Sequence, residues 1–110
     1  MSLPAAAAEL EARAAALTAE IAAEWETMGA PATAPRSEVT AAAERRSKAL
    51  GPRIAELGAL ALALVDESAT AHRDGDHRTA AAIGEASDRI TADVAQWAAK
   101  CDPADTAAHR

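Results

Sequence analysis

Thirty-five of the 110 residues are alanine, and the chain has no phenylalanine and no tyrosine. Alanine is the strongest helix former, and its small side chain lets helices approach closely. A chain this rich in it is constrained to fold as helices packed around little bulk. Half of the residues are hydrophobic, but outside alanine only 20 are: eight Leu, four Ile, three Val, two Met, two Trp and one Cys. Such a core takes less apolar surface out of water than is usual at this length. The expectation is a single helical domain over residues 1–102 that is slim, oligomeric or dependent on a partner. Residues 103–110, beyond Asp102-Pro103, are expected to be a frayed tail.

β-branched residues are scattered singly and no stretch alternates with period two, so the predicted class is all-α. The predicted architecture is an up-down-up arrangement of three helices with a long middle one. The first is predicted over Leu3–Met28, with Ser2 as cap and Pro4 in the first turn. Leu3, Leu10, Leu17, Ile21, Trp25 and Met28 lie on an arc of about 90°. Gly29, Pro31 and Pro35 then stop the helix.

The second helix is predicted from Ser37, as cap, to His72. Gly51-Pro52 interrupts it, and a proline inside a helix typically costs about 3 kcal/mol. The expectation is a kink rather than two separate helices, because Leu50, Ile54, Leu57, Ala61 and Leu64 keep a 4-3-4-3 spacing across the proline. Arg73-Asp74-Gly75-Asp76 reads as a turn with Gly75 in the left-handed position. The third helix is predicted from His77 or Thr79 to Cys101, with the heptad seam Ile83, Ser87, Ile90, Val94, Trp97 and Cys101. Short turns make sequential helices antiparallel neighbours. The expected pairings put Trp25 near Val39, Leu10 near Ile54, Ile90 near Leu60 and Trp97 near Arg53.

Charge and motifs narrow the function classes. A net charge of −6 and a pI near 4.9 argue against nucleic acid as the main partner. No apolar run approaches the roughly 18 residues of a membrane span; the longest is Gly58–Val65. The first residues lack the basic-then-apolar order of a secretory signal, so the expected location is cytoplasmic. Nine Arg against two Lys, with so much Ala, is the composition expected of a GC-rich bacterial genome. There is no Gly-rich phosphate loop, no Gly-x-Ser-x-Gly elbow and no Glu-x-x-His pair for a di-iron bundle. The expectation is a protein without enzymatic activity and without a cofactor.

Metal-ligand types concentrate in one place, His72, Asp74, Asp76 and His77. They could hold zinc or another divalent ion. The simpler reading, which the spacing favours, is a turn whose aspartates cap the third helix and whose histidines are solvated. Cys101 falls on the heptad seam, as a small core residue or a dimer contact, and cannot form an internal disulfide.

Residues 36–53 carry Arg36, Arg45, Arg46, Lys48 and Arg53 against Glu38 and Glu44, a basic block in an acidic chain. The expected use of this block is to face Glu20, Glu24 and Glu26 across the first hairpin, helping to fix which helices pair; a dock for an acidic partner is the alternative. Trp25 and Trp97 are either core plugs or interface anchors. The middle helix presents more apolar arc than its neighbours consume. Association is therefore expected through Leu57, Leu60, Leu62, Leu64 and Val65, with Trp25 and Trp97 as further interface candidates. The partner would be a second copy, a homodimer first, or another helical protein.

Trp25 on a short alanine-rich helical hairpin resembles the small Trp-x-Gly substrates of type VII secretion. Here Trp25 is followed by Glu-Thr-Met-Gly, which places Gly29 at a different spacing, and a tyrosine-based export signal is absent with tyrosine itself. The resemblance implies a one-to-one complex with a second helical hairpin and export without a cleavable signal.

Overall fold

The computed structural model describes residues 3–102. Three helices account for nearly all of them: α1 (Ala5–Thr27), α2 (Arg36–Arg73) and α3 (His77–Lys100). The molecule measures 58 × 22 × 20 Å. At 1.5 Å per residue, α2 by itself is about 57 Å long, so one helix sets the length of the whole.

The helix ends differ from expectation where proline competes with a side-chain cap. Ser2 lies outside the described residues, and α1 starts after Pro4, whose carbonyl accepts from Ala8 N–H at 2.8 Å. At α2 the cap is Pro35 rather than Ser37. Its ring sets φ at −63°, its ψ of 157° is extended, and its carbonyl receives the amides of Glu38 and Val39. Ser37 is thereby drawn into the first turn. Between α2 and α3, Gly75 takes φ +83°, Asp76 N–H donates to Ala71 C=O and Gly75 N–H to His72 C=O. That pair of bonds closes the last turn of α2 in a Schellman motif.

At Pro52, α2 runs through as one helix. The proline and Lys48, whose carbonyl loses its helical donor, are both exposed, so water can satisfy the freed oxygen. The opposite side carries Leu50 and Leu57, each fully buried, and Ile54 at 7% exposure. Each such side chain contributes about 1.5–3 kcal/mol on burial, which together outweighs the proline's cost.

Contacts across the helices define their order. Ser68 Oγ donates to Ala80 C=O at 2.8 Å and Ser87 Oγ to Ala61 C=O at 2.9 Å, so α2 and α3 run antiparallel. Arg46 reaches Trp25 and Arg53 reaches Glu20, so α1 and α2 do as well. The α2–α3 register places Ala61 against Ser87, close to the expected pairing of Leu60 with Ile90. The α1–α2 register is displaced: Trp25 meets Arg46 rather than Val39, one heptad along α2. Ile21, Leu50, Leu57, Leu64 and Ile83 are the largest fully buried side chains, and Ala7 and Ala86 are buried completely beside them. α1 packs mainly on α2 and only lightly on α3, which leaves the other side of the α2–α3 pair uncovered.

Candidate functional site

α2 carries two apolar stripes, and only one is consumed by the core. The first, Leu50, Ile54, Leu57, Ala61 and Leu64, is buried throughout. The second consists of Gly51, Ala55, Gly58, Leu62, Val65, Ala69 and His72, again spaced 4-3-4-3-4-3, and lies about 100° around the helix from the first. All but Gly58, which is half-buried, are exposed. Leu62 is 68% exposed and Val65 49%, and these are the exposed large hydrophobic residues among those described.

Beside Leu62 and Val65, the cleft between α2 and α3 opens into two hollows. One, of about 520 Å³, is lined by Gly51, Ala55 and Gly58 from α2, by Val94 and Ala98 from α3, and by Cys101 at its base. The other, of about 770 Å³, lies between Val65, Ala69 and His72 on α2 and His77, Ala81 and Gly84 on α3. Asp102 also lines the first hollow; the other lining residues of the two are small, apolar, serine or histidine.

The expected interface residues divide on this geometry. Leu57 and Leu64 are fully buried and Leu60 is 7% exposed. They belong to the chain's own core and are not open to a partner. Of the apolar arc of α2, the core takes these three leucines and leaves Leu62 and Val65 exposed. Trp25 and Trp97 are half-buried against the core and meet edge to face, with centroids 5.9 Å apart at 61°. Arg46 stacks over Trp25, and Lys100 Nζ lies 4.8 Å from the centre of Trp97. The pair thus closes the end of the bundle where α1 and α3 both stop.

The remaining candidates are occupied in specific ways. Asp76 Oδ1 accepts from Thr79 N–H at 3.1 Å and Oδ2 from the Thr79 hydroxyl at 2.7 Å, the side-chain cap that α3 requires. These two bonds hold its carboxyl below the usual aspartate value. The His72 and His77 rings meet at 4.5 Å, with their Nδ1 atoms 2.9 Å apart, and both are exposed. Among the described residues no three His, Cys, Asp or Glu side chains group as a metal-ligand set. Cys101 is buried in the core cluster. Burial pushes its thiol up, against the opposing pull of Arg46 and Lys100. Among the described residues no helix is long and apolar enough to cross a membrane.

The basic block meets α1 as expected, through particular residues. Arg53 pairs with Glu20 at 3.1 Å and Glu24 at 2.8 Å, while Arg46 takes a backbone carbonyl instead of a carboxylate. Sequence reasoning missed the Arg46–Trp25 contact, and also the Arg89–Glu11 pair that ties α3 to α1 at 3.0 Å. Comparisons of the chain with protein-family models, with curated proteins and with solved structures match nothing.

Proposed function

We propose that the chain is a non-enzymatic helical interaction module, which associates with a helical partner through the α2–α3 face centred on Leu62 and Val65. The observation that carries this reading is the 68% exposure of Leu62 and 49% exposure of Val65 on the stripe of α2 that borders two hollows. Scattered exposed leucines are ordinary on a monomer surface. A heptad stripe of uncharged residues running beside two hollows is the form in which helices receive other helices.

The test is light scattering with circular dichroism on the wild type, L62D, V65D and L60D. L62D and V65D are expected to keep the wild-type helical content and lose assembly. L60D, placing a charge in the core, is expected to lose the fold itself. If L62D assembles as the wild type does, the face is not the interface.

A second reading, ion carriage by the 72–77 turn, is favoured by the 2.9 Å separation of the two histidine Nδ1 atoms. Two nitrogens bound tetrahedrally to one zinc at about 2.0–2.1 Å stand about 3.3–3.4 Å apart, a few tenths of an ångström from the present separation. Calorimetric titration with Zn²⁺ or Ni²⁺ tests it: binding must occur and must vanish in H72A/H77A.

A further inference from the structure

We propose that the occupant of the open α2–α3 face is a second copy of the chain, docked with α2 against α2 in antiparallel order about a two-fold axis at Leu62. This rests on the interaction reading above and names its partner.

The first observation is a glycine that the chain itself does not need. Gly58 sits in the interior of α2, where glycine weakens a helix relative to alanine. It has no left-handed backbone, and a Cβ added there would meet nothing within 4 Å. Gly51 meets nothing either, although it eases the entry to Pro52. An open glycine in a helix interior leaves room on that surface for another backbone or side chain to come close.

The second observation is that the stripe matches itself in size only when reversed. Before Leu62 it is Gly51, Ala55 and Gly58, with nothing beyond a methyl group. From Leu62 onward come Leu62, Val65 and His72, with Ala69 between them. An antiparallel copy turning about Leu62 brings Val65 onto Gly58, Ala69 onto Ala55 and His72 towards Gly51. Knobs in one half meet holes in the other, and the contact is isologous, as a two-fold requires.

The third is extent. From Gly51 to His72 the stripe runs about 32 Å, and the molecule is 22 × 20 Å in cross-section. A face of roughly 600 Å² per copy follows, or about 1,200 Å² in total, at the lower edge of the range for specific interfaces. A parallel pairing would set Gly58 against Gly58 and Val65 against Val65, hole on hole and knob on knob.

Disulfide trapping in the full chain tests the geometry, with Cys101→Ala to remove the native thiol. Residues 55 and 69 are about 21 Å apart along one helix, beyond the roughly 7 Å a disulfide bridges. L62C is therefore expected to link to itself. A55C and A69C are each expected to stay unlinked alone, and to form a covalent heterodimer when mixed. All three sites are exposed, and circular dichroism verifies that the fold is kept. If Cys101→Ala disturbs folding, the same series is run with Cys101 present and the linked peptides are identified by mass.

Self-linking of A55C would mean a parallel pair and overturn the proposal. So would a light-scattering dimer that traps at none of these positions. If that dimer still depends on Leu62, the interaction reading survives while the antiparallel two-fold fails. A wild-type chain that remains monomeric overturns the second copy as occupant.

Discussion

The guanidinium of Arg46 stands 3.7 Å from the centre of the Trp25 ring and donates to the carbonyl oxygen of the same residue, through Nη2 at 2.6 Å and Nε at 3.1 Å. That carbonyl belongs to the last turn of α1, where its amide partner is the long 3.4 Å bond from Met28 N–H and the helix dipole favours a cation. One side chain of α2 thus closes the end of α1 and covers its terminal aromatic. With Arg53 on Glu20 and Glu24 one further stretch along, it sets the register between the two helices.

R46A is expected to destabilise the chain by about 1–3 kcal/mol, from charge-assisted hydrogen bonds and a cation–π contact. R46K keeps the charge but not the planar fork, and is expected to fall between R46A and the wild type. Urea unfolding followed by tryptophan fluorescence reads both. An R46A midpoint equal to the wild type would show that the contact does not hold the register.

Gly29 is small because Arg46 passes it: a Cβ at residue 29 would lie 2.6 Å from Nη2. G29A is expected to displace the guanidinium, at a smaller cost than R46A, since the clash falls at the end of a flexible side chain. The two effects are expected to be non-additive, with G29A close to neutral once Arg46 is alanine. A full G29A penalty in the R46A background would place its cause elsewhere.

Ser87 is 3% exposed, and its hydroxyl donates to Ala61 C=O from the centre of the α2–α3 contact. S87A removes the bond and its partner's second acceptance, with an expected loss of about 0.5–1.5 kcal/mol. S87L must force two close helices apart and is expected to cost about 1–3 kcal/mol. Thermal unfolding should rank wild type, S87A and S87L in that order.

Asp76 titrates below the ordinary aspartate value because Thr79 bonds to its charged form. A carboxyl whose folded value is depressed contributes stability that is fully present above its unfolded value, and loses it as pH falls through the folded one. The urea midpoint is therefore expected to decline on acidification below about pH 4, and D76A is expected to be less stable at neutral pH with a shallower decline. Parallel acid profiles of the two proteins would contradict the assignment.

Much of this fold is legible along the chain because it depends on local chemistry. Alanine with single β-branched residues dictates helices, Gly75 supplies a left-handed position between α2 and α3, and Asp76 offers the cap. Heptad spacing marks Leu50, Ile54, Leu57, Ala61 and Leu64 as one face of α2, and all are buried. What spacing does not carry is position along that face. Sliding α1 by seven residues leaves the same seam turned toward α2, so periodicity accepts Trp25 beside Val39 as readily as beside Arg46. Tertiary contacts decide it, through Arg46 on the Trp25 carbonyl and Arg53 between Glu20 and Glu24. The same holds for the leucines: sequence identified α2 as carrying apolar surplus, but burial against α1 and α3 determined that Leu57, Leu60 and Leu64 are used inside the chain and that Leu62 and Val65 remain outside. At Pro52 the seam spacing already predicts one kinked helix, despite a local cost of about 3 kcal/mol. The tertiary structure supplies the reason α2 continues, a buried seam on both sides of the proline and exposure on the far side.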